Sequence, residues 1–562
     1  MARRKIGSFC LVLHGHLPWV LHHGRWPHGE DWLFEAAVET WLPLIEVLNT
    51  CAEEGLRPAW SLGLTPILLE QLAASRFRTG LAGYLEHLRL RAEADRGAFL
   101  AADRPELAAL ATRWKDRISD LATLFEGIGR DIAGAIETHA RADRIELLTS
   151  NATHGFHPLL LHDASGRAQI RAGVATTERR LGVRPRGAWL PECAYRPPGP
   201  FSPVAVHGDV RWREGVGTLF EAEGIRYFVV DTHLVAEALS EAVIEGTAVH
   251  RVGWDQRMWD ADRGWGSPLE PVRLWENGRL TEVTVLARSP EVSEIVWSGE
   301  IGFPGDPRYL EFHKRHGQRG LRYWSVTGRV DLAEKVPYRP EAAALAAKEH
   351  AGTFVGIVRD QLRAHHLSLH RYGTVCAPFD AELFGHWWAE GPEFLLEVAR
   401  LMAEETEIES TTLGERLAAH PADKGVAMPE GTWGAGGDAR VWNNDEIRLY
   451  WEVAYRAEDR FLDLLSRRPA DGSGDDLLTE AGRQLLLLQA SDWPFVVSTR
   501  GAVDYGLRRV FDHAGLFDDL CNGMVDRLSD ASAPIDLAVE EALRRSRACD
   551  AVFPDLDLAW WS

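Results

Sequence analysis

Cysteine is scarce in this chain of 562 residues, with only six, scattered at Cys10, Cys51, Cys193, Cys376, Cys521 and Cys549. No CxxC pair occurs among them, so neither a zinc knuckle nor a disulfide framework is indicated. That usage suits a reducing compartment, and a cytoplasmic location is expected. Positive charge is also in deficit: 62 Lys and Arg stand against 83 Asp and Glu, a net charge of −21. Surfaces that hold nucleic acid or an anionic membrane need the opposite balance, so both are excluded as partners. The acidity is read as a solubility feature. No stretch approaches about 18 uncharged apolar residues, which excludes a spanning helix. The opening stretch, MARRKIGSFCLVLHGHLPW, imitates a signal peptide, but His14 and His16 interrupt its apolar run and no small-residue cleavage site follows. Residues 6–13 are read instead as the first strand of the fold. Internal repeats and low-complexity tracts are lacking too.

Tryptophan, normally rare, is abundant here, with 22 against 10 Tyr and 20 Phe. Core packing accounts for part of this. Several, however, sit beside Gly, Asp or His in loop-like sequence: Trp19, Trp26, Trp254, Trp259, Trp265, Trp433 and Trp442. A flat indole with one polar N–H suits a ligand with apolar faces and hydroxylated edges, and sugars are such ligands.

Five short apolar runs each end in polar residues: FCLVLHGH in His14 and His16, IELLTSNATH in Asn151 and His154, GAWLPE in Glu192, YFVVDTH in Asp231 and His233, and TVCAPFD in Asp380. Most are followed by helical patterns, the reading of a parallel sheet in βα units. Polar residues at the C-terminal ends of parallel strands mark the active face of a barrel or open α/β sheet. The region 84–142 repeats apolar residues at helical spacing and is too long for one crossover helix, so it is read as a helical insertion. From about residue 440 strand signals fade, and the C-terminal part is expected to be helical, with RRPADGSGDD as a loop between helices.

Two carboxylates stand out, Glu192 in AWLPE and Asp380 in CAPFD, each set in apolar sequence with a proline. Breaking a glycosidic bond takes two such groups, one at the anomeric carbon and one protonating the leaving oxygen. A capped or salt-bridged core carboxylate is the alternative reading of each. His14 and His16 alternate along a strand and so share a face. Metal sites need three or four ligands, and no third appears at a diagnostic spacing, so no metal or cofactor is expected and hydrogen bonding to substrate hydroxyls is preferred. Burial in the core is the other reading of His14. The segment GTWGAGGDARVW lacks the Lys-Ser/Thr of a phosphate loop and follows no strand; it is read as a loop presenting Trp433 and Trp442.

Taken together, HGHLPW, ELLTSNATHGF, GAWLPECAY, VCAPFDAELFGHWWAEGPEFL, GTWGAGG and LLQASDWPF, in this order from residue 14 to about 495, resemble glycoside hydrolase family 57, most closely its 1,4-α-glucan branching enzymes. The resemblance implies an α/β fold: an incomplete (β/α)7 barrel over residues 1–430 with the helical insertion, then a C-terminal helical domain over 431–562. It implies a retaining mechanism without metal or cofactor, with Glu192 as nucleophile and Asp380 as acid/base. It maps histidines near the donor sugar to His14 or His16 and to His154, stacking tryptophans to Trp297, Trp433 and Trp442, and a further site residue to Asp492. Trp19, Asp231, His233, Trp254 and Trp259 complete the expected substrate-binding set. The expected partner is an α-glucan, and the expected assembly a monomer or small homo-oligomer. One departure concerns the loop after the DTH strand, where these enzymes carry a functional tyrosine; here no tyrosine lies between Tyr227 and Tyr309. The segment from Gly253 to Gly266 carries Trp254, Trp259 and Trp265 instead and is expected to act as a flap. An α-glucan hydrolase or 4-α-glucanotransferase on the same scaffold is the alternative activity. A non-catalytic glucan-binding protein is disfavoured by the two carboxylates, and a metal-dependent polysaccharide deacetylase by the missing metal triad.

Overall fold

A computed structural model describes residues 5–204, 210–241, 267–317, 320–530 and 534–562. Seven parallel strands form its centre: β1 (Gly7–Gly15), β2 (Trp60–Leu64), β3 (Ile145–Leu148), β4 (Gly187–Trp189), β5 (Tyr227–Val230), β6 (Arg279–Ala287) and β7 (Gly373–Asp380). Regular ladders join β7, β1, β2 and β3 on one side and β4, β5 and β6 on the other. Single parallel bridges, Thr149 to Ala188 and Arg288 to Cys376, link the two halves. The result is a seven-stranded (β/α) barrel whose two seams are thinly bonded.

Strand β1 is buried along its whole length, as a parallel strand covered on both faces must be. Because side chains alternate, one set faces the barrel lumen and the other the surrounding helices. Cys10, Val12, Leu148, Trp189, Tyr227, Val229, Leu286 and Cys376 pack together inside. Phe9, Leu11, Leu13, Val375, Ala377 and Phe379 belong to the outer core. The inner parity places His14 and Asp380 at the ends of their strands and, continued past the strand ends, reaches His16, Thr65, Asp231 and Arg288. The register, with His14 opposite Asp380 and Gly63, brings these ends to one mouth.

Two of the seven strands carry no sequence signal of the kind used above. β2, WSLGL, is short and interrupted by glycine. β6 begins as half of an antiparallel hairpin with Val272–Glu276, partly exposed, and becomes a buried barrel strand only in its last residues. β1 extends to Gly15, two residues beyond the expected end, which takes His14 into the ladder. The inserted helices start earlier than expected: Ser75–Ala101 and Pro105–Gly127 pack side by side, followed by Ile132–Arg141.

Beyond the last short strand, Gly425–Val426, the regular elements are all helical; the longer ones are Arg448–Ser466, Asp475–Leu488, Val503–Ser529 and Leu537–Cys549. They pack directly on the barrel. Trp19, expected to face a ligand, is instead 4% exposed, and its indole N–H donates to the Cys549 carbonyl at 2.8 Å. Its flanking Leu-Pro and Val-Leu make it a core residue at the junction with the last long helix. Trp19→Ala removes that hydrogen bond and leaves a cavity, so it is expected to cost about 3–5 kcal/mol, read as a lower urea midpoint with little change in slope.

Candidate active site

The opening residues of the WLPE motif explain how a carboxylate reaches the lumen. β4 ends at Trp189, and Pro191–Cys193 form a single tight turn. Within it Glu192 adopts φ 60° and ψ 24°, and Cys193 φ 47°, left-handed conformations that cost a non-glycine residue about 1–3 kcal/mol. The Cys193 N–H donates to Leu190 O (2.9 Å), the Ala194 N–H to Pro191 O (3.0 Å), and Tyr195 pairs with Gly431. Trp433 then holds Glu192 twice: its backbone N–H donates to the Glu192 carbonyl (3.2 Å) and its indole N–H to Oε2 (3.0 Å).

Around Glu192 the histidines form one stack. His154, also left-handed at φ 58°, lies 4.1 Å from His16 and 5.0 Å from His14 between ring centroids. Its Nδ1 is 2.9 Å from Ser491 Oγ and 3.7 Å from Glu192 Oε1, and its Nε2 is 3.1 Å from His14 Nε2. His16 is bound at both ring nitrogens, to Thr65 Oγ1 (2.9 Å) and to Asp492 (3.0 Å), while its backbone N–H donates to Glu382 Oε1 (3.1 Å). Across the mouth, Asp231 is paired with Arg288 and accepts the Thr232 N–H (2.6 Å). Arg288 also lies over the Trp433 ring, 5.7 Å from its centroid.

These contacts sort the ionisable groups. Burial pushes Glu192 up to about 7, against the hydrogen bond from Trp433 that pulls it down. Burial also raises Asp380, with the neighbouring Glu382 and Glu192 adding to it and Arg288 opposing. Glu382 is itself raised to about 7 by burial. Burial, followed by the neighbouring imidazoles, holds His14 and His154 well below the usual range, so both are neutral. For His16, burial is outweighed by the Asp492 carboxylate, and its pKa rises. Asp231 is lowered: His233 and Arg288 overcome its burial. The mouth therefore holds three carboxyls whose pKa burial raises, Glu192, Asp380 and Glu382, beside His16, whose pKa is raised by its contact with Asp492.

Glu192, Asp380, His16, His154 and Asp492 are thus gathered at one place. Trp433 is half-buried with its N–H on Glu192. Trp297 ends the helix that follows β6 and lies 6.0 Å from the partly exposed Trp387. Other expectations need correction. His14 is buried, its ring stacked on Trp189 at 4.5 Å, instead of presenting an open face. Trp442 is 1% exposed and stacks on Phe156 at 4.8 Å; the short turns after GAGG fold it into the core instead of presenting it. His233 is turned to the Gly437 carbonyl (3.1 Å) and Asp231, so it braces the glycine loop. Asp231 is 7% exposed and engaged by Arg288. Trp254, Trp259 and Trp265 lie outside the described residues. Thr65, Arg288, Glu382 and Ser491 were not foreseen. The first two follow the two unrecognised strands; the others sit one or two residues from motif residues, in FDAE and SDW.

A carboxyl whose pKa is higher folded than unfolded gives stability that is complete below the unfolded value, 4.5, and lost as pH rises through about 7. Glu192→Gln has no such loss. Its stability relative to the unsubstituted protein is therefore expected to improve by up to about 3 kcal/mol between roughly pH 4 and pH 8. Denaturant midpoints of the two proteins across that range measure this; a constant difference would contradict the assignment.

The family model described as glycosyl hydrolase family 57 matches residues 10–429, and one described as 1,4-alpha-glucan branching enzyme, C-terminal, matches residues 453–561. A curated 1,4-alpha-glucan branching enzyme of Thermococcus kodakarensis is 36% identical over 524 residues, covering 92% of this chain and 74% of that protein. Among solved structures, a GH57-type branching enzyme from Pyrococcus horikoshii superposes with a TM-score of 0.88 at 35% identity, covering 99% of this chain and 97% of the other. The alpha-amylase AmyC from Thermotoga maritima gives 0.80 at 26% identity, covering 100% and 99%. With its barrel matched almost from end to end, the chain belongs to glycosyl hydrolase family 57.

Proposed function

We propose that the protein is a 1,4-α-glucan branching enzyme: it cleaves an α-1,4 link, holds the released chain on Glu192, and transfers it to a glucan 6-hydroxyl. The observation that carries this reading is the pairing of both family matches on one chain, the glycosyl hydrolase barrel and the branching-enzyme C-terminal region. The first match ends at residue 429 and the second begins at residue 453, and the chain is divided in this reading into a barrel over residues 1–430 and a C-terminal helical domain over 431–562. The alternative, hydrolysis, draws on the similarity to AmyC, in which the same architecture serves an amylase. Amylose incubated with the pure protein separates the two. New α-1,6 links in excess of new reducing ends are expected; reducing ends without α-1,6 links would make it a hydrolase.

Glu192 in this reading attacks the anomeric carbon while Asp380 protonates the departing oxygen, and Asp380 then deprotonates the acceptor hydroxyl. The raised positions of both carboxyls support the division of labour, because one must give up its proton near neutrality while the other keeps it. No metal or cofactor enters. Product synthesis of a glycogen-like polymer in the cytoplasm fits the composition. No helix among the described residues is long and apolar enough to cross a membrane.

Glu192→Gln is expected to lower turnover by several orders of magnitude while leaving the fold intact, and Asp380→Asn to be partly rescued on substrates with good leaving groups. The rate should rise with pH through about 7 as Glu192 ionises and fall at higher pH as Asp380 loses its proton. A pH–rate profile with no ionisation near neutrality, or a fully active Glu192→Gln, would contradict these roles.

A further inference from the structure

Ser491 lies outside the barrel strands, one residue before the helix Asp492–Ser498, yet its hydroxyl sits between two site residues. It is 2.9 Å from His154 Nδ1 and 3.4 Å from Glu192 Oε1. Its backbone is fixed independently: the Ser491 N–H donates to the His154 carbonyl (3.2 Å), and Ala490 bridges Gly155. The side chain is 1% exposed, so water does not compete for the hydroxyl.

Proton accounting then gives these contacts a direction. An ionised Glu192 only accepts, so Ser491 must donate its single proton to Oε1. Its oxygen is then free to accept, which requires the proton of neutral His154 on Nδ1. His154 Nε2 is left as a lone pair, so His14 must donate from Nε2 across the 3.1 Å contact. That leaves His14 Nδ1 as an acceptor, and this buried atom has no hydrogen-bond partner among the described residues. The reverse direction would place an N–H there, with no acceptor. A buried donor without a partner costs about 1–3 kcal/mol.

We infer that Ser491 is a positioning residue for Glu192, the last donor of a directed chain His14–His154–Ser491 that orients the ionised carboxylate for attack. The inference rests on Glu192 being the nucleophile. Trp433 holds Oε2 and Ser491 holds Oε1, so the carboxylate plane is defined from two sides: the loop Gly431–Val441 and the segment that begins the SDW helix. Other charged groups facing Glu192 are His16 with Asp492 on one side, and Asp380 with Arg288 on the other. None of these is removed by changing Ser491. The hydroxyl favours the ionised carboxylate, so its loss moves the Glu192 ionisation upward.

The test compares Ser491→Ala, Ser491→Thr and Glu192→Gln in the full chain acting on amylose, with thermal unfolding as the control for folding. Ser491→Ala is expected to lower kcat about 10- to 100-fold with KM changed less than about threefold, and to shift the acid limb of the kcat/KM profile to higher pH. Ser491→Thr, which keeps the hydroxyl, is expected to recover most of the lost turnover and the original acid limb. An unshifted acid limb in folded Ser491→Ala overturns the inference, whatever its rate. So does a folded Ser491→Thr that behaves as Ser491→Ala. An inactive Glu192→Gln beside an unshifted Ser491→Ala profile overturns this inference alone. A Glu192→Gln that keeps its turnover overturns the nucleophile assignment and this inference with it.

Discussion

The desolvated carboxylate of Glu192 is the constraint around which the site is built. A buried carboxylate is costly to ionise, and near neutrality it stays available for chemistry only if donors are already in place. Here they are supplied in fixed positions, the Trp433 indole at one oxygen and the Ser491 hydroxyl at the other. The left-handed Pro191–Cys193 turn is the backbone cost of aiming the side chain inward, and the Tyr195–Gly431 bridge holds it. Removing either donor would leave the same charge in the same apolar place with less to support its ionised form.

The remaining charges at the mouth are arranged so that few compete with that group. Arg288 is committed to Asp231, and His16 to Asp492. Each pair is close to neutral as a unit. Asp380 is thereby left beside Glu382 and Glu192 with only the partial opposition of Arg288, and burial with these neighbours raises its pKa. Two carboxyls in one cavity cannot both be readily ionised, and this mutual repulsion adds to the effect of burial.

The barrel does not complete this site alone. Trp433, Ser491 and Asp492 come from beyond the last strand, and each touches a residue of a barrel strand end. The same junction is fastened far from the mouth, where Trp19 of the loop after β1 bonds the carbonyl of Cys549. The C-terminal part of the chain therefore contributes side chains that contact Glu192, His154 and His16.

Local sequence determined a great deal of this. Parity along buried parallel strands puts every second residue in the lumen, so AWLPE, CAPFD and HGH already implied polar groups at strand ends, and the helical C-terminal part was legible from its periodicity. The motifs in combination pointed to the family. What sequence could not decide was which side chains are left free by packing. Trp442 and Trp433 lie in one glycine-rich segment, yet the first is core and the second reaches Glu192, because burial depends on what folds over a residue from elsewhere in the chain. His14 and His16 differ by two positions along one strand; only the second lies past the ladder, where Asp492, 476 residues away in the chain, can reach it. Strands β2 and β6 escaped notice because glycine and a hairpin half erased their local signal, and Thr65 and Arg288 went with them. Ser491 is one serine among many in sequence; only the tertiary fold sets its hydroxyl between His154 and Glu192, since hydrogen-bond direction is a property of three groups in space.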